Sequence, residues 1–189
     1  NELGFFFPPR MVIDDPSILL TLDQRQLRAG LAEAIKVSLI KDKKFFKFIR
    51  NNFRRVLNKD FFPRGPAEYM IWHTASLHLK QIRTDPKELK LARPLDFGHE
   101  WGHRLEAMTG YRLNHGEAIS IGMAIDSIIS YKRGYISAGE LEEILSMFEM
   151  VGLPIYDAAI DDVKALWPGL ESFRRHLGGE LTISLLKGI

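Results

Sequence analysis

The most informative stretch of this sequence runs from position 93 to position 103 and reads Arg93-Pro94-Leu95-Asp96-Phe97-Gly98-His99-Glu100-Trp101-Gly102-His103. His99 and His103 are four positions apart, so a helix through them would place both imidazoles on one face. A third histidine, His115, follows shortly after, and acidic residues lie among the three. Because imidazole and carboxylate groups are common metal ligands, this region is the first candidate for a metal site.

Taken alone, the segment from His99 to His103 matches the H-E-x-x-H pattern of zinc hydrolases. On that interpretation both histidines would bind zinc, and Glu100 would be the general base for a zinc-bound water. Two features count against it. A glycine inside the helix, at position 102, costs ~1 kcal/mol relative to alanine, and the extended form of the pattern needs a histidine where Thr109 stands. A zinc hydrolase therefore stays an alternative.

The rest of the chain has the patterns of a mainly helical domain. Asp23 is a candidate N-cap, and after it apolar residues recur every four positions, as on a buried helix face: Leu27, Leu31, Ile35 and Leu39. The patterns predict further helices over residues 42–58, 67–82, 97–108, 116–131 and 140–151. The short apolar run Met11-Val12-Ile13-Asp14, bounded by prolines, predicts one strand. Residues 181–186 fit either a strand or the end of a helix.

Composition limits the classes of protein to which the chain can belong. It has 189 residues, 46% of them hydrophobic and 26% charged, which is typical of a soluble globular domain. The net charge of +2 gives no electrostatic case for nucleic acid or a membrane surface. No apolar run approaches the ~18 residues of a membrane span. Cysteine is absent, which excludes disulfides and thiolate ligands and fits a cytoplasmic location.

Three blocks of sequence, in order, resemble the C-terminal metal-binding domain of the dehydroquinate synthase-like sugar phosphate cyclases. They are residues 28–36 (RAGLAEAIK), residues 93–106 (RPLDFGHEWGHRLE) and residues 115–123 (HGEAISIGM). The start of the chain is similar to the family's crossover from its nucleotide-binding domain. The resemblance implies an entrance strand or crossover over residues 1–20 and a helical metal- and substrate-binding domain over 21–189. The α/β nucleotide-binding domain would be missing, and no G-x-G-x-x-G loop occurs.

The resemblance also implies a metal site and two catalytic residues. Glu33, His99 and His115 match the family's ligands for Zn²⁺ or Co²⁺. Lys36 matches a lysine that contacts the substrate. His103 matches a second histidine near the substrate, where an imidazole donates to phosphate or assists proton transfer.

Three further residues are implied to bind substrate, namely Lys80, Arg93 and Asp96. Arg93 would bind phosphate or carboxylate through its guanidinium group, although it lies one residue closer to the metal-binding histidine than in the family. Asp96 stands where those enzymes usually carry asparagine. The region in which the family has a lysine pair contains Arg174, Arg175 and His176.

The activity implied is that of a 3-dehydroquinate synthase-like lyase. Such an enzyme uses NAD and a metal to form a carbocycle from a seven-carbon sugar phosphate, with elimination of phosphate. NAD would be bound mainly by the missing domain, so we expect the isolated chain to be inactive. The block at residues 93–99 is more similar to the sedoheptulose 7-phosphate cyclases, nearest the 2-epi-valiolone synthase-like branch. Sedoheptulose 7-phosphate and 3-deoxy-arabino-heptulosonate 7-phosphate both remain open as substrates.

The same resemblance implies a homodimer with its own N-terminal domain as a partner. Two other hypotheses stand beside the cyclase and the hydrolase. One is a metal-dependent alcohol dehydrogenase of the same superfamily. The helix with Glu33 and Lys36 argues against it, since a simple dehydrogenase has less use for a phosphate-binding lysine. The other is a helical interaction domain without enzymatic activity, which requires that no metal binds.

Overall fold

The structure is a computed structural model that describes residues 9–62, 64–83, 93–176, 179 and 182–189. In this part of the chain it contains α-helices, short 3-10 helices and no strand. The α-helices are α1 (Gln24–Lys41), α2 (Lys43–Leu57), α3 (Pro66–Ile82), α4 (His99–Met108), α5 (His115–Lys132), α6 (Ala138–Val151) and α7 (Val163–His176). The 3-10 helices are Pro16–Thr21, Pro94–Asp96 and Ala158–Asp161. The prediction of a mainly helical domain is confirmed.

The helix starts follow from capping side chains that the sequence makes visible. Asp23 accepts a hydrogen bond from the backbone N–H of Gln26 and begins α1. Asn114 and Glu117 form a reciprocal capping box at the start of α5. The predicted apolar face of α1 is buried throughout. These local signals place the predicted helices close to their observed bounds.

The predicted strand at Met11–Asp14 is wrong. Residues 11–14 have no regular structure, and the side chains of Met11, Val12 and Ile13 are 74%, 60% and 81% exposed. A β-branched run becomes a strand only when a neighbouring strand takes up its backbone hydrogen bonds. No described residue supplies that neighbour. Residues 182–186 also form neither a helix nor a strand, and residues 1–8 lie outside the described part of the chain.

Helix α7 was not predicted, because Pro168 lies inside it and proline usually interrupts a helix. Packing against α4 holds it in place. Leu166 and Leu170 are buried, and the side chain of Arg104 donates from Nε to the carbonyl oxygen of Ala165 at 2.8 Å. Tertiary contacts here outweigh the local preference of the sequence.

The arrangement of the helices around α1 positions the candidate site. α1 packs against α2, α3 and α5, while α4 packs against α5 and α7. At the crossing of α1 and α5, a Cβ atom on Gly116 would overlap the backbone of Ala29. Where α4 begins, a Cβ on Gly122 would overlap the carbonyl group of Gly98. These glycines let three helices approach at one end, and that is where the histidines meet.

Candidate metal centre

Three different helices bring a carboxylate and two imidazoles together. Glu33 lies in the middle of α1, His99 is the first residue of α4, and His115 is the first residue of α5. The Oε1 atom of Glu33 lies 3.4 Å from Nε2 of His115 and 3.7 Å from Nε2 of His99. One potential ligand atom from each residue lies within 4.8 Å of the other two. The structure thus assembles the three residues for which the sequence implied a ligand role.

The orientation of His99 is set by the chain immediately before it. Gly98 has a positive φ of 80°, which a side chain would disfavour. The Nδ1 atom of His99 lies 3.3 Å from the carbonyl oxygen of Phe97. If Nδ1 donates to that carbonyl, the ring keeps the lone pair of Nε2 directed at Glu33, as a metal ligand requires.

Lys36 is buried within this group, with 3% of its side chain exposed. Its Nζ atom lies 2.7 Å from Oε2 of Glu33 and 3.4 Å from Nε2 of His99. Burial opposes the ionisation of Glu33, but His115, Lys36 and His99 overcome it and lower the pKa of this carboxyl to about 2. Burial and the nearby Lys36 charge lower the pKa of His99 to about 3. At neutral pH Glu33 is therefore an ionised carboxylate and His99 a neutral imidazole, the forms that bind metals. The carboxylates of Glu33 and Glu106 instead raise the pKa of His115, although burial opposes them.

The donor set fits a divalent metal. The Oε1 atom of Glu33 is buried and makes no hydrogen bond, although two imidazole nitrogens face it. A buried carboxylate oxygen without a hydrogen bond is costly unless something positive takes the place of the missing donor. One carboxylate and two imidazoles match a three-ligand zinc site that leaves a position open for a substrate.

The remaining catalytic candidate, His103, lies at the solvent side of the same cluster. Its ring centre is 5.2 Å from that of His99 and 5.6 Å from that of His115, and 60% of its side chain is exposed. Glu106, to which the sequence analysis assigned no role, lies between the rings. Its Oε2 atom is 3.2 Å from Nδ1 of His103 and 3.1 Å from Nδ1 of His115. The spacing of three positions between His103 and Glu106 on one helix was the only sequence signal for this contact.

The candidate substrate residues are more dispersed. The Nε atom of Arg93 lies 3.2 Å from Oδ2 of Asp96, and both residues line a cavity of about 590 Å³ together with Glu100 and residues 182–188. Lys80 is exposed in the last turn of α3, and no hydrogen bond or ion pair joins it to the Glu33 cluster. Arg174 pairs with Glu171 on its own helix. Within the described residues, the structure therefore brings Arg93 and Asp96 to each other, and no contact joins Lys80 to the Glu33 cluster.

Glu100 does not take the place that a zinc hydrolase needs. Its Oε1 atom accepts a hydrogen bond from the backbone N–H of Ser184, and only 2% of the residue is exposed. Burial and the neighbouring carboxyl of Asp126 raise the pKa of Glu100 to about 8. In the described residues, two groups of side chains lie close enough together to bind one metal ion, namely Glu33 with His99 and His115, and His103 with Glu106 and His115. Neither group contains both His99 and His103, as a zinc hydrolase would require. The hydrolase interpretation is not favoured.

The fold and the cluster together define the class of protein. It is an all-α domain in which a carboxylate and two imidazoles form a candidate metal centre where helices meet. Comparison with known families then gives the family. The chain belongs to the family described as 3-dehydroquinate synthase C-terminal, which matches residues 30–169. The resemblance to dehydroquinate synthase-like sugar phosphate cyclases is thereby confirmed.

Several curated relatives of the chain are 3-dehydroquinate synthases. The enzyme of Caldanaerobacter subterraneus subsp. tengcongensis is 39% identical over 155 residues, which cover 82% of this chain and 43% of that protein. That of Dichelobacter nodosus is 35% identical over 193 residues, which cover 100% of this chain and 51% of that protein. The chain thus spans about half the length of the curated relatives that it matches.

Solved structures share the fold, among them those of two synthases. The 2-epi-5-epi-valiolone synthase ValA from Streptomyces hygroscopicus subsp. jinggangensis 5008, with NAD⁺ and Zn²⁺ bound, matches with a TM-score of 0.93 and 30% identity. The match covers all of this chain and 52% of ValA. A 2-deoxy-scyllo-inosose synthase matches with a TM-score of 0.59 and 21% identity, which supports the fold alone.

No helix in the described residues is long and apolar enough to cross a membrane.

Proposed function

We propose that this chain is the metal- and substrate-binding part of a sugar phosphate cyclase. The complete enzyme would convert a seven-carbon sugar phosphate into a carbocycle, with NAD and either Zn²⁺ or Co²⁺ as cofactors. The observation that carries the proposal is the cluster of Glu33, His99 and His115 with the buried cation of Lys36 beside it. The family to which the chain belongs supports the same class of activity, because its curated relatives include 3-dehydroquinate synthases.

Glu33 Oε1 and the Nε2 atoms of His99 and His115 would hold the metal. A metal bound there would polarise a substrate hydroxyl and make its proton easier to remove. The chain's contribution is to fix these three atoms from three separate helices, so that the site does not depend on a mobile loop. Ligands on rigid elements hold a substrate oxygen in one orientation.

Lys36 and His103 would act directly on the substrate. Lys36 approaches from the buried side, where its Nζ atom already contacts Glu33 and His99, and can donate to a substrate oxygen next to the metal. His103 approaches from the solvent side, where its exposed ring can donate to phosphate or carry a proton. The substrate would therefore lie between a buried ammonium group and an exposed imidazole.

The remaining parts of the proposal concern groups further from the centre. Arg93 and Asp96 are paired and can present a donor and an acceptor to substrate hydroxyl or phosphate groups. Lys80 is proposed as a further cation for the phosphate. NAD would be bound mainly by a nucleotide-binding domain N-terminal to this chain, reached through residues 1–20. We place the enzyme in the cytoplasm as a homodimer.

Elemental analysis of purified variants tests the metal assignment. We expect one metal per chain in the wild type, none in Glu33→Gln, and full content in Glu100→Gln and His103→Gln. A zinc hydrolase would instead lose metal in His103→Gln, because both histidines of its pattern are ligands. Full metal content in Glu33→Gln would show that the ligand assignment is wrong. Glu142→Gln, an exposed substitution on α6, controls for loss of one negative charge.

A further inference from the structure

Glu106 occupies an unusual place beside the proposed ligands. One oxygen of its carboxylate, Oε2, lies within 3.2 Å of Nδ1 atoms on two different histidines, His103 and His115. The side chain of Glu106 is only 16% exposed, whereas those of His103 and His115 are 60% and 44% exposed. The carboxylate is thus the more buried partner, and its fixed position can hold both rings in one orientation.

We infer that Glu106 is a positioning residue that sets the tautomer and orientation of His115 and His103. This inference rests on the proposed function, because it assigns Nε2 of His115 to the metal. A neutral imidazole carries its proton on one nitrogen, and the other nitrogen keeps a lone pair. With Nδ1–H donated to Glu106, the lone pair of Nε2 of His115 points at Glu33, 3.4 Å away.

The two proposed imidazole ligands differ in what they contact through Nδ1. His99 faces the neutral carbonyl oxygen of Phe97 at 3.3 Å, whereas His115 faces the carboxylate of Glu106 at 3.1 Å. A carboxylate partner makes the opposite ring nitrogen a stronger donor to a metal than a carbonyl partner does. His115 is also the more exposed of the two ligands, with 44% of its side chain accessible against 14% for His99. Glu106 therefore compensates for weaker packing around His115.

The same contact orients the proposed catalytic histidine. His103 has few other constraints, since most of its side chain is exposed. Donation of its Nδ1 proton to Glu106 leaves Nε2 free to accept or deliver a proton on the substrate side. One carboxylate would thus couple the geometry of a metal ligand to that of a proton-transfer group.

The atoms of His103, Glu106 and His115 also lie close enough together to hold a metal themselves. We favour hydrogen bonds, because a second metal there would require the ring of His115 to lose both protons and bridge two ions. The positioning role predicts one metal per chain even when metal is in excess. A second bound equivalent that disappears in Glu106→Gln would overturn the inference.

The test compares metal affinity, by competition with a chelator, in the wild type, Glu106→Gln, Glu106→Asp and Glu142→Gln. Replacement of a residue behind a metal ligand typically weakens binding by about 10–100-fold, and we expect a loss of that size for Glu106→Gln. Glu106→Asp should recover part of the affinity, because it keeps the charge. Glu142→Gln should bind as the wild type does. Thermal unfolding of the metal-free proteins checks that the loss of affinity is not a loss of folding.

Ring ¹⁵N NMR of the metal-free chain gives a second readout. In the neutral form of the rings, we expect His103 and His115 to carry their protons on Nδ1 in the wild type. In Glu106→Gln, part of the population should move to the Nε2–H tautomer. Unchanged tautomers and unchanged affinity would refute the positioning role.

Failure of this inference can be told apart from failure of the proposed function. If Glu33→Gln loses its metal while Glu106→Gln binds as the wild type does, only the role of Glu106 is wrong. If Glu33→Gln keeps its metal, the proposed centre itself is wrong. The tautomer measurement needs no metal, so it tests Glu106 in either case.

Discussion

At the scale of single residues, Gly116 shows how the absence of a side chain builds the candidate centre. A Cβ atom there would overlap the backbone of Ala29, one helical turn before Glu33 on the same helix. The backbones of α1 and α5 consequently touch beside His115. The sequence shows a glycine after a histidine, but it does not show which distant backbone the glycine must admit.

We therefore expect Gly116→Ala to force α1 and α5 apart and to separate Glu33 from His115. Overpacking of this kind costs about 1–3 kcal/mol of unfolding free energy, and metal affinity should fall as well. The matched control is Gly139→Ala on α6, where a Cβ atom meets nothing within 4 Å. Alanine there should not lower the free energy of unfolding, because its Cβ atom has room and an alanine is more easily ordered in a helix than a glycine. Urea unfolding of both variants measures the difference, and equal stabilities would contradict the account.

The histidines of the site are visible in the sequence as a local cluster, whereas Glu33 is marked only by family resemblance. Glu33 is a single acid on a long helix, and only the surrounding block of residues 28–36 marked it. The structure then placed it against His99 and His115, as that resemblance implied. Glu106 was missed because its contact with His115 depends on how α4 and α5 pack, which periodicity does not encode.

At the scale of helices, α4 is held to α5 by a buried acidic residue. Asp126 on α5 accepts hydrogen bonds from the backbone N–H of Gly98 at 2.8 Å and from Nε1 of Trp101 at 2.7 Å. These bonds fix the start of α4, and with it the position of His99. Burial raises the pKa of Asp126 to about 7, despite these two donors. The neighbouring acid, Glu100, also has a raised pKa, so the two helices meet around a pair of weakly acidic carboxyl groups.

This pair contributes stability at low pH that is lost as the pH rises. In the unfolded chain both carboxyl groups ionise near pH 4, whereas in the folded chain they keep their protons up to pH 7–8. Between these limits the two carboxyl groups bind fewer protons in the unfolded state, so their contribution to the free energy of unfolding falls as pH increases and levels off above about pH 8. Glu100→Gln removes one of the two titrations. Urea unfolding across this range should give a shallower slope for that variant, and an identical slope would refute the assignment.

The helices themselves were predictable wherever capping and periodicity agreed. For α1 and α5, the local sequence shows both the apolar face and the capping residue, which is Asp23 for α1 and Asn114 for α5. α7 was not predictable, because its helix survives Pro168 only through contacts with α4. Residues 11–14 show the opposite case, in which a local pattern predicted a strand that does not form. A strand needs a neighbouring strand for its backbone hydrogen bonds.

At the scale of the whole molecule, the order of three sequence blocks identifies the family, which no single motif does. The segment from His99 to His103 on its own fits a zinc hydrolase, and only the blocks around Glu33 and His115 direct the interpretation to the cyclase family. The match over residues 30–169 confirms that family. The curated relatives and ValA bear names of different products, so the family alone does not define the substrate.

The chain covers about half of its curated relatives, and this bears on what it can do alone. The proposed chemistry begins with hydride transfer to NAD, and the hydride acceptor must be held against the substrate. This sequence contains no glycine-rich loop for the phosphates of a dinucleotide. We therefore expect the 189-residue chain to bind a divalent metal but to bind NAD⁺ weakly and to release no phosphate from sedoheptulose 7-phosphate or 3-deoxy-arabino-heptulosonate 7-phosphate.

A phosphate-release assay with saturating NAD⁺ and Zn²⁺ or Co²⁺ checks this expectation, and calorimetric titration with NAD⁺ checks the binding. Glu33→Gln is the background control, since it should lack the metal and give the same zero rate. Turnover by the wild-type chain that vanishes in Glu33→Gln would show that the centre is correct and that the helical domain suffices for catalysis. Turnover that persists in Glu33→Gln without bound metal would come from a contaminating enzyme, because no proposed step survives loss of the metal. Turnover that persists with bound metal would show that the ligand assignment is wrong.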